Sequence, residues 1–404
     1  MRVFNISIVF PLIIFQLAGF TQEISSFDPE DYKTGAASEH YNYVELKFHS
    51  GSHPNSSKYI QELLAAGYKA LEFRVGMQST GRQVWQRAHN YPQYGVGFFL
   101  GNLGNTTVDS TLGAPSGLFG YIGIPWIRTK KFHFNTDLSA GLSYDFEPYD
   151  AETNPYNDVI GSWMNVYLNL NFGCYYEISD RMDLSLGWSL THFSNGRWRT
   201  PNKGVNLMGF NLGVAYHFNP ITRFKQYSNP NASSLIRPEF NTDPLPPLKK
   251  YTEIYLMGSI GTSTIQGPTG NEAGNRYFNS SWSADYTHKF WRRGKYMTGF
   301  DFFYDGSLAE GYDKPASDVT FLERSSYGWH IGHGFFIERI TFITQLGFYI
   351  YKKSEERGSW YMRAGGDIDL NENWSAHICL KTMNGGIADW VEWGIARKIR
   401  IRDK

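Results

Sequence analysis

The feature that most constrains this chain is an alternation of apolar and polar residues that is sustained over long segments. Between 164 and 174 the even positions are apolar, whereas the odd positions hold asparagine, tyrosine and glycine. A period of two places alternate side chains on opposite faces of a β-strand. The alternation recurs at 182–190, 208–216 and 340–350. The chain is therefore predicted to be all-β.

The length of these segments favours an antiparallel transmembrane β-barrel. Each runs for about ten residues, which is the length that a tilted bilayer-spanning strand needs. A soluble sandwich also alternates, but in lipid every sheet edge must be paired, so the strands close on themselves. An aromatic content of 17% and 41 glycines fit aromatic-bordered strands joined by tight turns. The formal net charge is zero, so no nucleic-acid partner is expected.

Eight strands are predicted in the first half and about eight more between 251 and 400. The first eight lie near 42–48, 69–77, 93–101, 116–126, 131–145, 163–177, 181–194 and 205–218. The sequence leaves open whether the two sets form two small barrels or one barrel of sixteen strands. A Pro-rich stretch between them favours two, because proline removes the backbone donors that a central strand needs.

The chain divides into four predicted regions. Residues 1–21, with Arg2 before an apolar run, have the pattern of a secretory signal peptide, so export to a bacterial outer membrane is expected. Residues 22–218 form the first barrel and 219–250 the Pro-rich linker. Residues 251–404 form a second barrel-like half.

A weak internal repeat relates the two halves. Gly161-Ser162-Trp163 recurs as Gly358-Ser359-Trp360, and each tripeptide precedes two predicted strands and a hairpin loop. Leu190-Thr191-His192 then corresponds to Leu380-Lys381-Thr382. A distant duplication is one interpretation, and shared barrel composition is the other.

Reactive residue types converge at the end of the seventh predicted strand. His192 and Ser194 are two positions apart, so they share a face, and it is the apolar outer face of that strand. Asn206 begins the same face of the next strand, so the hairpin brings the three together. A serine nucleophile needs a neighbouring base, and the base needs an orienting acceptor on its other nitrogen. Ser194, His192 and Asn206 are therefore the candidate catalytic residues.

The hairpin loop supplies candidate donors to an oxyanion or to substrate, namely Asn195, Asn202 and the backbone at Gly204. No metal or cofactor is expected. The competing interpretation is a barrel strand that ends in an Asn-Gly turn, with histidine and serine at the headgroup level and no chemistry.

The run H-x-S-N, five residues, P-N-x-G-x-N, from His192 to Asn206, resembles the signature of the outer-membrane lipid A 3-O-deacylase family, which is acyloxyacyl-hydrolase-like. The resemblance covers about residues 40–218. It implies an eight-stranded barrel with base and nucleophile at His192 and Ser194 on its exterior, and asparagines around the oxyanion site. It also implies an esterase that removes a 3-hydroxy fatty acyl chain from lipid A or lipopolysaccharide in the outer leaflet.

Two departures from the family pattern bear on function. Better-characterised members carry glutamate at the place of Asn206, so a loop carboxylate at Glu147, Asp150 or Glu152 is an alternative partner for the histidine. At the corresponding place the second half reads Thr382-Met383-Asn384, without histidine or serine, so it is predicted to be non-catalytic.

Two other functions stay open at this point. One is a non-enzymatic outer-membrane barrel, a porin or structural protein that retains the motif as a relic. The other is a soluble secreted β-sandwich.

Overall fold

The computed structural model describes residues 41–54, 67–104, 111–179, 181–218, 240–266, 273–354 and 358–403. The predicted signal peptide lies outside the described residues, as do residues 219–239 of the predicted linker. The described linker residues 240–250 have no regular secondary structure.

The first half of the chain contains a closed antiparallel barrel of eight strands. Each predicted segment of the first half overlaps one of them, since the period-two pattern is a local signal. The strands are β1 Tyr41–Ser52, β2 Tyr68–Gln78, β3 Gln93–Asn102, β4 Gly113–Arg128, β5 Phe132–Phe146, β6 Asn165–Glu177, β7 Met182–Ser194 and β8 Val205–Phe218. The barrel closes because β1 pairs with both β2 and β8.

The second half contains another closed antiparallel barrel of eight strands, in which β9 pairs with both β10 and β16. The strands are β9 Tyr251–Gln266, β10 Ala273–Trp291, β11 Gly294–Asp305, β12 Ser325–Ile337, β13 Ile340–Tyr351, β14 Trp360–Asp369, β15 Trp374–Met383 and β16 Ile387–Asp403. The two-barrel alternative is therefore confirmed, and the single sixteen-stranded barrel is wrong.

Helices are few and short in the part of the chain that the structure describes. One α-helix, α1 Val84–Ala88, lies between β2 and β3. The connection from β11 to β12 holds three 3-10 helices, Gly306–Gly311, Ala316–Asp318 and Leu322–Arg324. Among the described residues, no helix combines the length and apolarity needed to cross a membrane.

Both barrels carry their apolar side chains outside and their polar side chains inside. On β8, Phe210 is 67% exposed, whereas its neighbour Asn211 is 2% exposed. On β11, Phe300 is 65% exposed and Asp301 is buried. A water-soluble sandwich would show the reverse distribution. This arrangement is that of a barrel whose outer surface faces lipid.

Paired charges fill the interior of the first barrel. Arg74 donates to Asp137 over 2.8 Å, and it also contacts Glu72. Lys47 lies 3.5 Å from Asp137, which also accepts a hydrogen bond from Tyr175 over 2.8 Å. Buried charges are tolerable only when they are paired and hydrogen-bonded. The network therefore fixes the lumen as a packed, polar core.

The second barrel has a similar lumen. Arg363 donates to Glu392 over 2.6 Å and to Gln345 over 2.5 Å. His330 lies 2.6 Å from Asp301, and both side chains are buried.

Candidate active site

His192 and Ser194 lie at the end of β7, on the outer face of the first barrel. Phe193 between them is fully buried in the lumen, as the alternation of a strand requires. In the pairing of β7 with β8, Asn206 is the direct partner of His192. The hairpin thus places all three side chains on one patch of the outer wall, as the sequence predicts.

The imidazole of His192 connects the other two side chains. Its Nδ1 lies 2.7 Å from Oδ1 of Asn206, and its Nε2 lies 2.9 Å from Oγ of Ser194. An amide oxygen only accepts hydrogen bonds, so Nδ1 carries the proton and Nε2 is left to accept from the serine hydroxyl. This tautomer is the one in which a histidine acts as a base toward serine.

The three side chains lie beside apolar wall rather than in open solvent. Ser194 is 8% exposed and Asn206 is 6% exposed. Leu168 on β6, the direct partner of His192 on its other side, is 42% exposed and faces outward.

Asn195 directly follows Ser194 and is buried. Its amide nitrogen donates to Oγ of Ser162 over 2.8 Å, and that hydroxyl donates to the side chain of Asn165 over 3.1 Å. The role of Ser162 in holding Asn195 was not predicted from the sequence. The sequence feature that points to Ser162 is the repeated Gly-Ser-Trp tripeptide. It lies just before the sixth strand of the first barrel and at the start of the sixth strand of the second.

Gly204 packs against the histidine from the returning end of the loop. Its φ is +77°, and a Cβ added there would lie 2.9 Å from Cε1 of His192. Its backbone N–H donates to the carbonyl of Val159 over 3.1 Å. Glycine is required here for both backbone conformation and close approach.

The structure places Asn202, the remaining predicted donor, in the segment 196–202. Residues 196–202 belong to the same compact unit as residues 246–404, whereas the flanking strands β7 and β8 belong to the other unit.

Of the alternative carboxylate partners, Asp150 is engaged within its own loop. Oδ1 of Asp150 accepts from the backbone N–H groups of Glu152 and Thr153, over 3.0 and 2.8 Å. Since Asn206 occupies Nδ1 of His192, the geometry favours Asn206 as the orienting group.

A second serine-histidine-acid set lies inside the first barrel. Oγ of Ser189 is 3.5 Å from Nδ1 of His49, whose Nε2 is 3.2 Å from a carboxylate oxygen of Glu72. All three are at most 2% exposed, so no lipid reaches them. Ser189 lies on the same strand as Ser194 but on the opposite face, which makes it a matched control. Among the described residues, no group of three or more His, Cys, Asp or Glu could hold a metal ion.

Family models match both halves of the chain. Residues 71–215 match the lipid A 3-O-deacylase (PagL) model, and residues 252–402 match that of the acyloxyacyl hydrolase C-terminal domain. The chain belongs to the lipid A 3-O-deacylase family. The first match contains His192, Ser194 and Asn206, and the second covers the barrel that lacks them. The resemblance drawn from the hairpin motif is thus confirmed, and the match extends beyond the predicted 40–218.

Solved structures with a detectable likeness include transporters and a receptor. A toluene transporter of Pseudomonas putida is 10% identical, covering 93% of this chain and 95% of that one with a TM-score of 0.17. A toluene transporter of Ralstonia pickettii is 10% identical, with coverages of 96% and 100% and a TM-score of 0.19. The siderophore receptor PirA of Acinetobacter baumannii is 10% identical, with coverages of 89% and 44% and a TM-score of 0.20. Likeness at this level carries no information about activity. No curated protein matches the sequence.

Proposed function

We propose that this protein is an outer-membrane esterase that removes an ester-linked 3-hydroxy fatty acyl chain from lipid A or lipopolysaccharide. The observation that carries the proposal is the hydrogen-bonded chain Ser194–His192–Asn206 on the lipid-facing wall of a deacylase-family barrel. A substrate embedded in the outer leaflet would reach this wall without entering the lumen.

In the proposed reaction, Oγ of Ser194 attacks the carbonyl carbon of the ester while Nε2 of His192 takes the hydroxyl proton. The tetrahedral intermediate collapses as the histidine returns that proton to the departing sugar oxygen, which leaves an acyl group on Ser194. Water, deprotonated by the same nitrogen, then attacks the acyl carbonyl carbon. The bond from that carbon to Oγ of Ser194 breaks, the histidine returns its proton to Oγ, and the fatty acid is released. Asn206 accepts from Nδ1 throughout and keeps the ring oriented.

Donors to the oxyanion are assigned to the loop that follows the nucleophile. Asn195 and Asn202 supply side-chain amides, and Gly204 lets the backbone approach the histidine closely. Such donors stabilise the charge that develops on the carbonyl oxygen, and the loss of one costs about 10²- to 10³-fold in kcat in a well-studied serine protease. No metal or cofactor takes part in this scheme.

The other regions have supporting roles in this proposal. Residues 1–21 direct export, residues 22–218 hold the catalytic barrel and residues 219–250 link it to residues 251–404. The latter lack the histidine and serine and are assigned no catalytic step.

A porin is the second candidate, because both halves are closed barrels. The packed network around Arg74 and Asp137 argues against it, since a water-filled channel would leave such side chains hydrated rather than buried. A conductance measurement separates the two functions.

The test uses the purified full-length protein in detergent with lipopolysaccharide as substrate. The expected result is a lipid A product lighter by one 3-hydroxy acyl chain in mass spectra, together with the free fatty acid. Unchanged lipid masses, combined with ion conductance in planar bilayers, would instead support the porin.

A further inference from the structure

The segment that directly follows the proposed nucleophile is built into the compact unit of the second half. Residues 196–202 belong to the compact unit that contains residues 246–404. Ser194 and Asn195 belong to the unit that contains the first barrel. We propose that Arg197 and Asp389 are positioning residues for the deacylation reaction, because together they fix this segment of the active-site loop. The inference rests on the proposed function and adds to it a role for the second half.

Backbone and side-chain bonds hold the segment to the end of β9. The N–H of Thr264 donates to the carbonyl of Arg197 over 2.9 Å, and Nε of Arg197 donates to the carbonyl of Thr264 over 3.2 Å. Oγ1 of Thr264 donates to the carbonyl of Trp198 over 2.6 Å, and Thr200 donates to the carbonyl of Ile265 over 3.1 Å. The segment is therefore fixed along most of its length.

The side chain of Arg197 ends at a buried carboxylate. Its Nη1 lies 3.4 Å from Oδ1 of Asp389, which is fully buried, while Arg197 itself is only 19% exposed. Nζ of Lys381 donates to the other oxygen of Asp389 over 2.6 Å. Lys381 in turn lies over the rings of Trp390 and Phe303, at 4.2 and 4.6 Å from their centroids. A carboxylate held in such surroundings is a rigid anchor for the guanidinium.

The first two residues of the segment, Gly196 and Arg197, have little conformational freedom, and they connect this anchor to the nucleophile. Gly196 and Arg197 both have positive φ, +65° and +69°. A Cβ added at Gly196 would lie 2.4 Å from a methyl group of Val391. The chain therefore passes from Asn195 to the anchor through a tight, specific turn, and displacement of Arg197 would be transmitted to Asn195.

Both ends of the loop contact the candidate site. Asn195 adjoins Ser194, and Gly204 packs on the ring of His192. The segment is bonded to Asn195 at one end and to Lys203 at the other, so a change in its own conformation is transmitted to both residues. A misplacement of about 1 Å at a reacting centre can cost up to about a hundredfold in rate. The anchor should therefore affect kcat more than substrate binding.

The experiment compares full-length wild type with Arg197→Ala, Arg197→Lys and the control Arg181→Ala. Arg181 is an exposed arginine that binds the hydroxyl of Tyr216 at the far end of β7 and β8. Release of fatty acid from lipopolysaccharide is measured per folded molecule, which is quantified from the heat-modifiable band. We expect Arg197→Ala to lower kcat by about tenfold or more with KM within twofold. Arg197→Lys should recover part of the loss and Arg181→Ala should match wild type.

A second variant checks the partner. Asp389→Asn keeps the shape of the side chain but removes the charge and replaces one acceptor oxygen with an NH2 group. We expect a smaller kcat loss that is not additive with that of Arg197→Ala. If wild type releases fatty acid and Arg197→Ala has an unchanged kcat, the positioning role of Arg197 and Asp389 is contradicted, but the proposed function is not. A wild type that releases no fatty acid would overturn the proposed function and the anchor with it.

Discussion

By the resemblance drawn from the hairpin motif, Asn206 is the residue at which this chain departs from the glutamate of the family pattern. Its amide oxygen accepts from Nδ1 of His192 over 2.7 Å, so the orienting bond is present without the charge. A neutral partner fixes the tautomer but does not stabilise an imidazolium by charge.

This difference makes a prediction for two substitutions. Asn206→Glu should keep or raise the rate of fatty-acid release, because a carboxylate would also stabilise the imidazolium formed during attack. Asn206→Leu should lower the rate by roughly tenfold, since the N–H of the ring would lose its acceptor. A nearly silent Asn206→Leu variant would assign the orienting role to another group. Both rates are measured on lipopolysaccharide at equal amounts of folded protein.

At this scale the sequence predicts which candidate residues lie together where their spacing in the chain is short. His192 and Ser194 share a face because they are two apart, and Asn206 meets them across a single hairpin. The bond from Arg197 to Asp389 joins residues 192 positions apart, and no local pattern indicates it.

Strands are the element that the sequence predicts best, because the period-two signal is contained in each segment. Their pairing into barrels is a different matter. Whether β1 closes onto β8 or onto a strand of the second half depends on contacts between residues far apart in the chain. The Pro-rich stretch was the only local indication of two barrels.

The outward face of β8 provides a test of the lipid-facing surface. Phe210, near the middle of the strand, is 67% exposed. We expect Phe210→Arg to lower the free energy of unfolding in lipid vesicles by about 2–4 kcal/mol, because a charge would enter the hydrocarbon region. Phe210→Leu, the control, should change it by less than about 1.5 kcal/mol. Equal stability of the two variants in urea titrations would contradict a membrane-spanning β8.

At the scale of the whole molecule, the residues that the structure describes form two closed barrels, so the first does not need the strands of the second to complete its sheet. Closure removes the exposed edges that would otherwise aggregate. Deletion from residue 251 onward should therefore leave a chain that folds in detergent and shows a heat-modifiable band. Some activity should remain, at a reduced kcat, because the deletion also removes Thr264 and Asp389. A truncated chain that never folds would show that closure of the first barrel is not sufficient.

The central claim is that Ser194, activated by His192 on the outer wall, cleaves the acyl ester of lipid A. The most direct measurement is fatty-acid release from lipopolysaccharide by Ser194→Ala, His192→Ala and Ser189→Ala, each checked for its folded band. The account predicts losses on the order of 10³-fold or more for the first two, which face the lipid. It predicts near wild-type release for Ser189→Ala, whose hydroxyl is sealed in the lumen. Release within twofold of wild type by Ser194→Ala or His192→Ala would contradict it.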